Sequence, residues 1–409
     1  MSSRNNLLCL AAAASLLLAA QSAFAGAPAG FEACVADLRQ QARGAGISEQ
    51  VLRSQLDQVE FVDRVVELDR SQPEFTATFG RYLDRRVTEG RVERGRALLE
   101  EHAGLLQRVY RDYGVAPRYL VAFWGLETNY GGYFGDMRTV DVLTTLACDR
   151  RRPDFFTREL MAALRLIDSG GIAGEQMRGS WAGALGHVQF MPSVYERYAV
   201  DYDGDGQRDL WNSVPDAMAS AANYLRTIGW RPGWRWGREV ALPASFPFEV
   251  AGHGKKRTVS EWRELGVETA YGRPLRGGEA TAELLVPAGH EGPAFLVYSN
   301  FDIIMQWNRS QLYALSVGHL ADRLVGVSGL ANPPPADREP LRREVVVDLQ
   351  ERLNQRGFEA GPVDGIPGPS TREAIRRFQK AHGMIADGYP SRAVLDRLSL
   401  KVAQSEVTQ

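Results

Sequence analysis

The chain of 409 residues has little cysteine and little histidine, 3 and 6 respectively. Its histidines fall at no metal-ligand spacing, which removes the usual signature of a zinc site. Cations are not in surplus. The 48 Lys and Arg stand against 50 Asp and Glu, a formal net charge of −2. Without a basic surplus or stripe, no nucleic-acid partner is expected. There is no Ser/His/Asp order worth pursuing and no phosphate-cradling loop, so neither triad hydrolysis nor nucleotide chemistry is indicated. Low-complexity segments and long internal repeats are also missing. No segment beyond the N-terminus has the length and apolarity to span a bilayer.

At the N-terminus, Arg4 precedes an apolar run over residues 7–20, and Ala23-Phe24-Ala25 follows as an A-x-A cleavage site. This reads as a secretory signal, residues 1–25. An uncleaved anchor fits less well, because the run falls short of the ~20 residues that span a bilayer. Cys9 would leave with the signal, so Cys34 and Cys148 remain. An even pair in an exported protein reads as a disulfide, with two free buried thiols as the alternative.

The length predicts two or three units. Residues from 31 to about 114 read as helical, for example over 31–43, 49–57, 73–86 and 92–113, and further helices are predicted over 117–130, 155–167, 191–198, 215–228 and 310–324. Between about 230 and 297 glycine and proline become frequent. Short alternating runs at 239–242 and 282–286 predict a few strands there. Asn332-Pro333-Pro334-Pro335 is a stiff linker, and a unit of roughly 60 residues, enough to fold alone, follows it.

One carboxylate stands out. Glu127 closes the apolar helical stretch Phe123-Trp124-Gly125-Leu126-Glu127, just before Gly131-Gly132. Phe123 and Trp124 lie four and three residues back, on the same helix face. A buried acid beside aromatics stays protonated near neutral pH, because desolvation disfavours its charged form. A solvated glutamate near a helix end is the competing reading. A second informative stretch runs Gly179-Ser180-Trp181-Ala182-Gly183-Ala184-Leu185-Gly186-His187-Val188-Gln189-Phe190-Met191-Pro192-Ser193. Its glycines allow close backbone approach. Ser180 and Gln189 offer neutral hydrogen bonds suited to sugar hydroxyl and amide groups, and Phe190 and Met191 offer apolar surface.

These two segments, with Asn223-Tyr224 and Trp307-Asn308-Arg309-Ser310-Gln311-Leu312-Tyr313-Ala314, resemble the lytic murein transglycosylase B family over about residues 31–324. The resemblance implies a lysozyme-like catalytic core. It implies that Glu127 is the single catalytic acid/base and that Ser180 and Gln189 contact the sugar at the cleaved bond. It places Tyr224, Asn308 and Tyr313 in the cleft lining, Tyr82 on the opposite wall, and Arg151 and Arg152 near the muramyl peptide. Trp307 stands where the family pattern also admits tyrosine. No second acid pairs by spacing with Glu127, whereas ordinary glycosidases use two. The family's chemistry accounts for that. Glu127 protonates the oxygen between N-acetylmuramic acid and N-acetylglucosamine, then takes the proton of the C6 hydroxyl of the same muramyl ring. That hydroxyl attacks C1, a 1,6-anhydro ring closes and no water is consumed.

Asp201, Asp203 and Asp205, with Gly206, match positions 1, 3, 5 and 6 of an EF-hand-type calcium loop. Position 12 should be Glu but is Asn212. The resemblance moves the closing acid to Asp216 and adds the backbone carbonyl of Gln207. A solvated acidic turn is the alternative, and an ion here would be structural, with no cofactor expected for catalysis. The C-terminal unit carries Leu349-Gln350-x-x-Leu353, Val363-Asp364-Gly365, Ala374-Ile375-x-x-Phe378-Gln379 and Asp387-Gly388. It resembles the three-helix peptidoglycan-binding domain of wall enzymes. Its Asp364, Gly365 and Thr371 read as fold-shaping rather than ligand-binding.

The expectation is therefore a mainly α (α+β) periplasmic protein. A signal occupies 1–25, and a lysozyme-like catalytic domain with a small strand-containing region spans 26–328, with the metal loop at 201–216. A Pro-rich linker follows at 329–340 and a small three-helix peptidoglycan-binding domain at 341–400. The expected partner is the peptidoglycan glycan strand. A hydrolytic muramidase and a non-catalytic wall-binding scaffold are the alternatives. Partnership with wall-synthesis enzymes is left open by the sequence.

Overall fold

The computed structural model describes residues 27–70, 77–335 and 340–400. The expected signal, residues 73–76 of the helix expected over 73–86, and residues 336–339 of the expected linker lie outside the described residues. Helix starts follow local chemistry. Thr78, Thr88, Ser213 and Ser310 each accept a first-turn backbone N–H at an N-cap. Proline opens the helices Pro117–Thr128, Pro153–Asp168 and Pro192–Tyr198, where its missing N–H costs nothing.

The helix Pro117–Thr128 is the central element. Every residue from Tyr119 to Leu126 is buried. Around it pack Glu89–Glu101, Ala103–Tyr113, Val214–Thr227 and Gln311–Leu324. The single helix expected over 92–113 is two helices, broken at His102 (φ −100°, ψ 16°), and both halves pack on the central helix. The 49–57 segment is helical but widens into a π-helical turn, Leu52–Leu56. Helices Thr139–Ala147, Val259–Glu264 and Ser299–Trp307 were not expected. Thr139–Ala147 is rich in β-branched residues and buried at every position, so it shows no polar face and no helical period.

The strands are β1 (Met137–Arg138), β2 (Arg178–Gly179), β3 (Gly237–Ala241), β4 (Lys256–Thr258), β5 (Glu268–Thr269), β6 (Thr281–Leu285) and β7 (Ala294–Val297). β1 and β2 pair with each other, and β3–β7 form an antiparallel sheet in the order β4-β6-β7-β3-β5. Side chains alternate across a strand. Phe295 and Val297 of β7 enter the main core, while Ala294 and Leu296 enter a second core around Trp262. With both faces covered, β7 reads as a short continuous apolar run.

Cys34 and Cys148 form a disulfide, Cα–Cα 5.9 Å, joining helix Phe31–Gly44 to the end of Thr139–Ala147. The C-terminal unit has three helices, Arg343–Gln355, Pro369–Ala381 and Arg392–Arg397, closed over Leu349, Leu353, Ile375 and Phe378. Its buried Gln350 donates to Asp364, Ile366 and Thr371 and accepts from the N–H groups of Asp364 and Gly365. Those turn residues shape the fold, as the sequence indicated.

The unit is tied to the rest of the chain. Asp387 meets the His290 ring at 2.6 Å and the His290 backbone N–H at 2.9 Å, and Glu373 pairs with Lys255 at 3.0 Å. The start of the linker is pinned too. The carboxylate of Glu239 accepts the backbone N–H groups of Ala331 and Asn332.

Candidate active site

Glu127 is half-buried in the last turn of Pro117–Thr128. The helix stops immediately after it, because Asn129 (φ 51°) and Tyr130 (φ 62°) are both left-handed. Two consecutive non-glycine residues in that region store backbone strain of the kind found at functional sites. Oε1 of Glu127 accepts the indole N–H of Trp307 at 2.8 Å and the hydroxyl of Tyr313. Trp307 ends helix Ser299–Trp307, and Tyr313 lies in the first turn of Gln311–Leu324. Burial and the Glu127 charge push the Tyr313 hydroxyl far above the ordinary phenol range, so it remains a donor. The charge of Arg86 acts on that hydroxyl too, in the opposite direction.

Trp307 is fixed by an aromatic cluster. Its ring lies 4.4 Å from Phe123 and 5.5 Å from both Phe190 and Tyr224. Each such pair contributes roughly 0.5–1.5 kcal/mol beyond area burial. Trp124 turns elsewhere than expected. Its N–H donates to His187 Nδ1 at 2.9 Å, and its ring packs edge-on against Tyr130 and His187. Burial pushes the His187 ring down to about 4, so it is neutral at neutral pH and can accept that N–H.

His187 thereby clamps the glycine-rich loop to the Glu127 helix. Thr128 Oγ1 donates to the His187 carbonyl at 3.0 Å and accepts the Gly131 N–H at 3.0 Å. Gly131 (φ 79°) is required here, since a Cβ would lie 2.4 Å from the His187 ring. Gly186 (φ 64°) sits against the Leu210 carbonyl in the same way. The loop orients two half-buried polar groups. Ser180 Oγ accepts the N–H groups of Ala182 and Ala184, which leaves its O–H to donate outward. Gln189 is left-handed (φ 50°) and donates Nε2 to the carbonyls of Phe134 and Gly186, which fixes its amide.

The remaining expected contacts divide by exposure. Tyr224, Asn308 and Met191 are half-exposed. Asn308 Oδ1 accepts the Ser310 N–H between the two helices that hold Glu127. Phe190, Tyr82 and Tyr313 are buried, at 2, 5 and 1 % exposure, so here they support their neighbours rather than present surface. Arg151 and Arg152 both grip the buried Asp69, and their charges are shared with it. The sequence reading missed the clamp formed by Thr128 and His187.

In the acidic loop, one carboxylate oxygen from each of Asp201, Asp203 and Asp205 lies within 4.8 Å of the others. Gly204 (φ 80°) and Gly206 (φ 91°) make the turn between them. Three converging carboxylates on a tight turn suit a hard cation such as Ca²⁺. Asp216 does not join them. It is fully buried and accepts the backbone N–H groups of Tyr202, Asp203 and Asp209, bracing the loop from below.

One acid at a helix end, hydrogen-bonded by an indole and a phenol and faced by a glycine-rich polar loop, defines a glycan-cleaving cleft of the lysozyme-like kind. Residues 30–322 match the family described as "Transglycosylase SLT domain", and residues 342–398 match "Putative peptidoglycan binding domain". The chain is 31% identical over 287 residues to the membrane-bound lytic murein transglycosylase B of Escherichia coli, covering 67% of this chain and 78% of that one. Among solved structures, SltB3 from Pseudomonas aeruginosa in complex with NAG-anhNAM-pentapeptide is similar over 91% of this chain and all of that one (TM-score 0.87, 44% identity). The Escherichia coli lytic transglycosylase Slt35 in complex with calcium is similar over 71% of this chain and 92% of that one (TM-score 0.63, 30% identity). The chain belongs to the lytic murein transglycosylase B family and carries a C-terminal peptidoglycan-binding domain. It is a peptidoglycan lytic transglycosylase.

Proposed function

We propose that Glu127 alone moves the proton in both directions when the β-1,4 bond between N-acetylmuramic acid and N-acetylglucosamine is cut. The carrying observation is that its Oε1 is met by an indole and a phenol, both donors. In the first half, the Glu127 proton goes to the glycosidic oxygen as the C1–O4 bond breaks. The substrate's own N-acetyl group supports the electron-poor C1. The two donors then stabilise the carboxylate that remains. In the second half, that carboxylate takes the C6 hydroxyl proton as the C6 oxygen bonds to C1. The acid is regenerated and the 1,6-anhydro ring closes. The nucleophile is already tethered to the reacting ring, which supplies effective molarity. Ser180 and the fixed amide of Gln189 hydrogen-bond the muramyl sugar, and Trp307, Tyr224 and Asn308 line its path.

Digestion of purified sacculi, read by mass spectrometry, tests this. Soluble muropeptides should be lighter than hydrolytic products by one water. Reducing ends instead would make the enzyme a hydrolase with a base elsewhere, and binding without release would make it a scaffold.

The same reading makes this an exported enzyme of the periplasm. The disulfide and the leader-like residues 1–25 support that. It also places a structural Ca²⁺ on Asp201, Asp203, Asp205 and the Gln207 carbonyl, with Asp216 holding the loop. An ion at 100 times its dissociation constant stabilises a fold by about 2.7 kcal/mol. A chelator should therefore lower the melting temperature of the parent, and Asp203→Ala should abolish that response. A chelator-insensitive parent with no bound ion would sink the calcium assignment.

A further inference from the structure

Between the catalytic region and the C-terminal unit lies a cavity of about 650 Å³. Its walls carry Lys255 and Arg309 from one side and Arg372, Arg376 and Arg377 from the other, against two carboxylates, Glu359 and Glu373. Glu373 is shared by Lys255 at 3.0 Å and Arg376 at 3.1 Å, and Glu359 lies 3.8 Å from Arg377. Arg309 and Arg372 have no carboxylate within ion-pair distance among the described residues. Nε of Arg376 is buried without an acceptor. Arg372 is packed beside Arg376, and burial presses its pKa down. A half-buried guanidinium without an ion-pair partner, such as Arg372, is costly unless an anion joins it, and the exposed Arg309 opens onto the same cavity.

The cavity shares a wall with the active site. Met305, Arg309, Ser310, Gln311 and Leu312 line it, and the same segment supplies Trp307 and Tyr313 to Glu127. We propose that this interdomain cavity is a subsite for the peptide carried by the glycan, with Arg309 and Arg372 binding its carboxylates. A peptide ends in a carboxylate, which a guanidinium fork matches in geometry and charge. SltB3 is solved with a peptide-bearing saccharide, NAG-NAM-pentapeptide. Arg151 and Arg152, the pair the sequence pointed to, are already occupied by Asp69, whereas the cavity offers cations that are not. The inference rests on the glycan-cleaving reading but can be tested apart from it.

Binding is measured on the full mature chain carrying Glu127→Gln, so that turnover does not interfere. The probes are fluorescent glycan strands with their peptides and the same strands stripped by an amidase. Arg309→Gln removes an exposed side chain and should leave the fold intact. It should weaken binding of the peptide-bearing strand about 10-fold, the size of one lost charge-assisted hydrogen bond, and leave the stripped strand within twofold. Arg372→Gln, with an unchanged melting curve, should do the same. Equal weakening of both probes, or no weakening of either, overturns the subsite. If the parent chain forms no anhydro ends while the binding difference stands, the acid/base reading fails and the subsite does not.

Discussion

Glu127→Gln should reduce release of anhydro-muropeptides by about 10²–10⁴-fold or more, the range attributed to a positioned acid/base, with the fold retained. The substitution keeps size and polarity, and its amide oxygen can still accept from Trp307 and Tyr313, the two donors on Oε1. It removes only the proton that is transferred. In the proposed mechanism one carboxylate serves both half-reactions, so its loss should not be made up by a second group. The measurement is turnover on sacculi beside circular dichroism and a melting curve. Release near the parent rate from a folded variant would refute the role of Glu127.

The second large effect is on stability. The Cys34–Cys148 disulfide spans 114 residues of sequence. In the chain-entropy account a loop near that length raises the free energy of the unfolded state by about 4–5 kcal/mol. Replacing both cysteines with serine, or reducing the parent, should lower the melting temperature by roughly 10 °C for a domain of this size. Calorimetry with and without reductant reads this directly. Identical melting of the parent, the reduced parent and the double variant would mean that the helices it joins are held by packing alone.

The site was legible in the sequence where its chemistry is contiguous. Glu127 and its helix, the glycine-rich loop and the three aspartates each occupy one short segment, so each can be found locally, though spacing alone marks the first two weakly and the family resemblance assigned their roles. What the acid touches was not legible from spacing. Its donors come from residues 307 and 313, far along the chain. Trp124 shares a helix face with Glu127 by number, but His187 draws it away. The helix Thr139–Ala147 went unseen because burial on all sides leaves no polar stripe to set a period. The break at His102 was missed because apolar residues continue across it at helical spacing. The cavity between the two units has no signature in either sequence segment, because it exists only where the units meet.

The separation of the acid from its donors has a further meaning. Glu127 is made long before Trp307 and Tyr313, which follow it by 180 and 186 residues. A chain that is still emerging, or one cut short before residue 307, holds the carboxylate without the groups that aim it. Such a chain is a wall-cutting enzyme with its trigger uncocked.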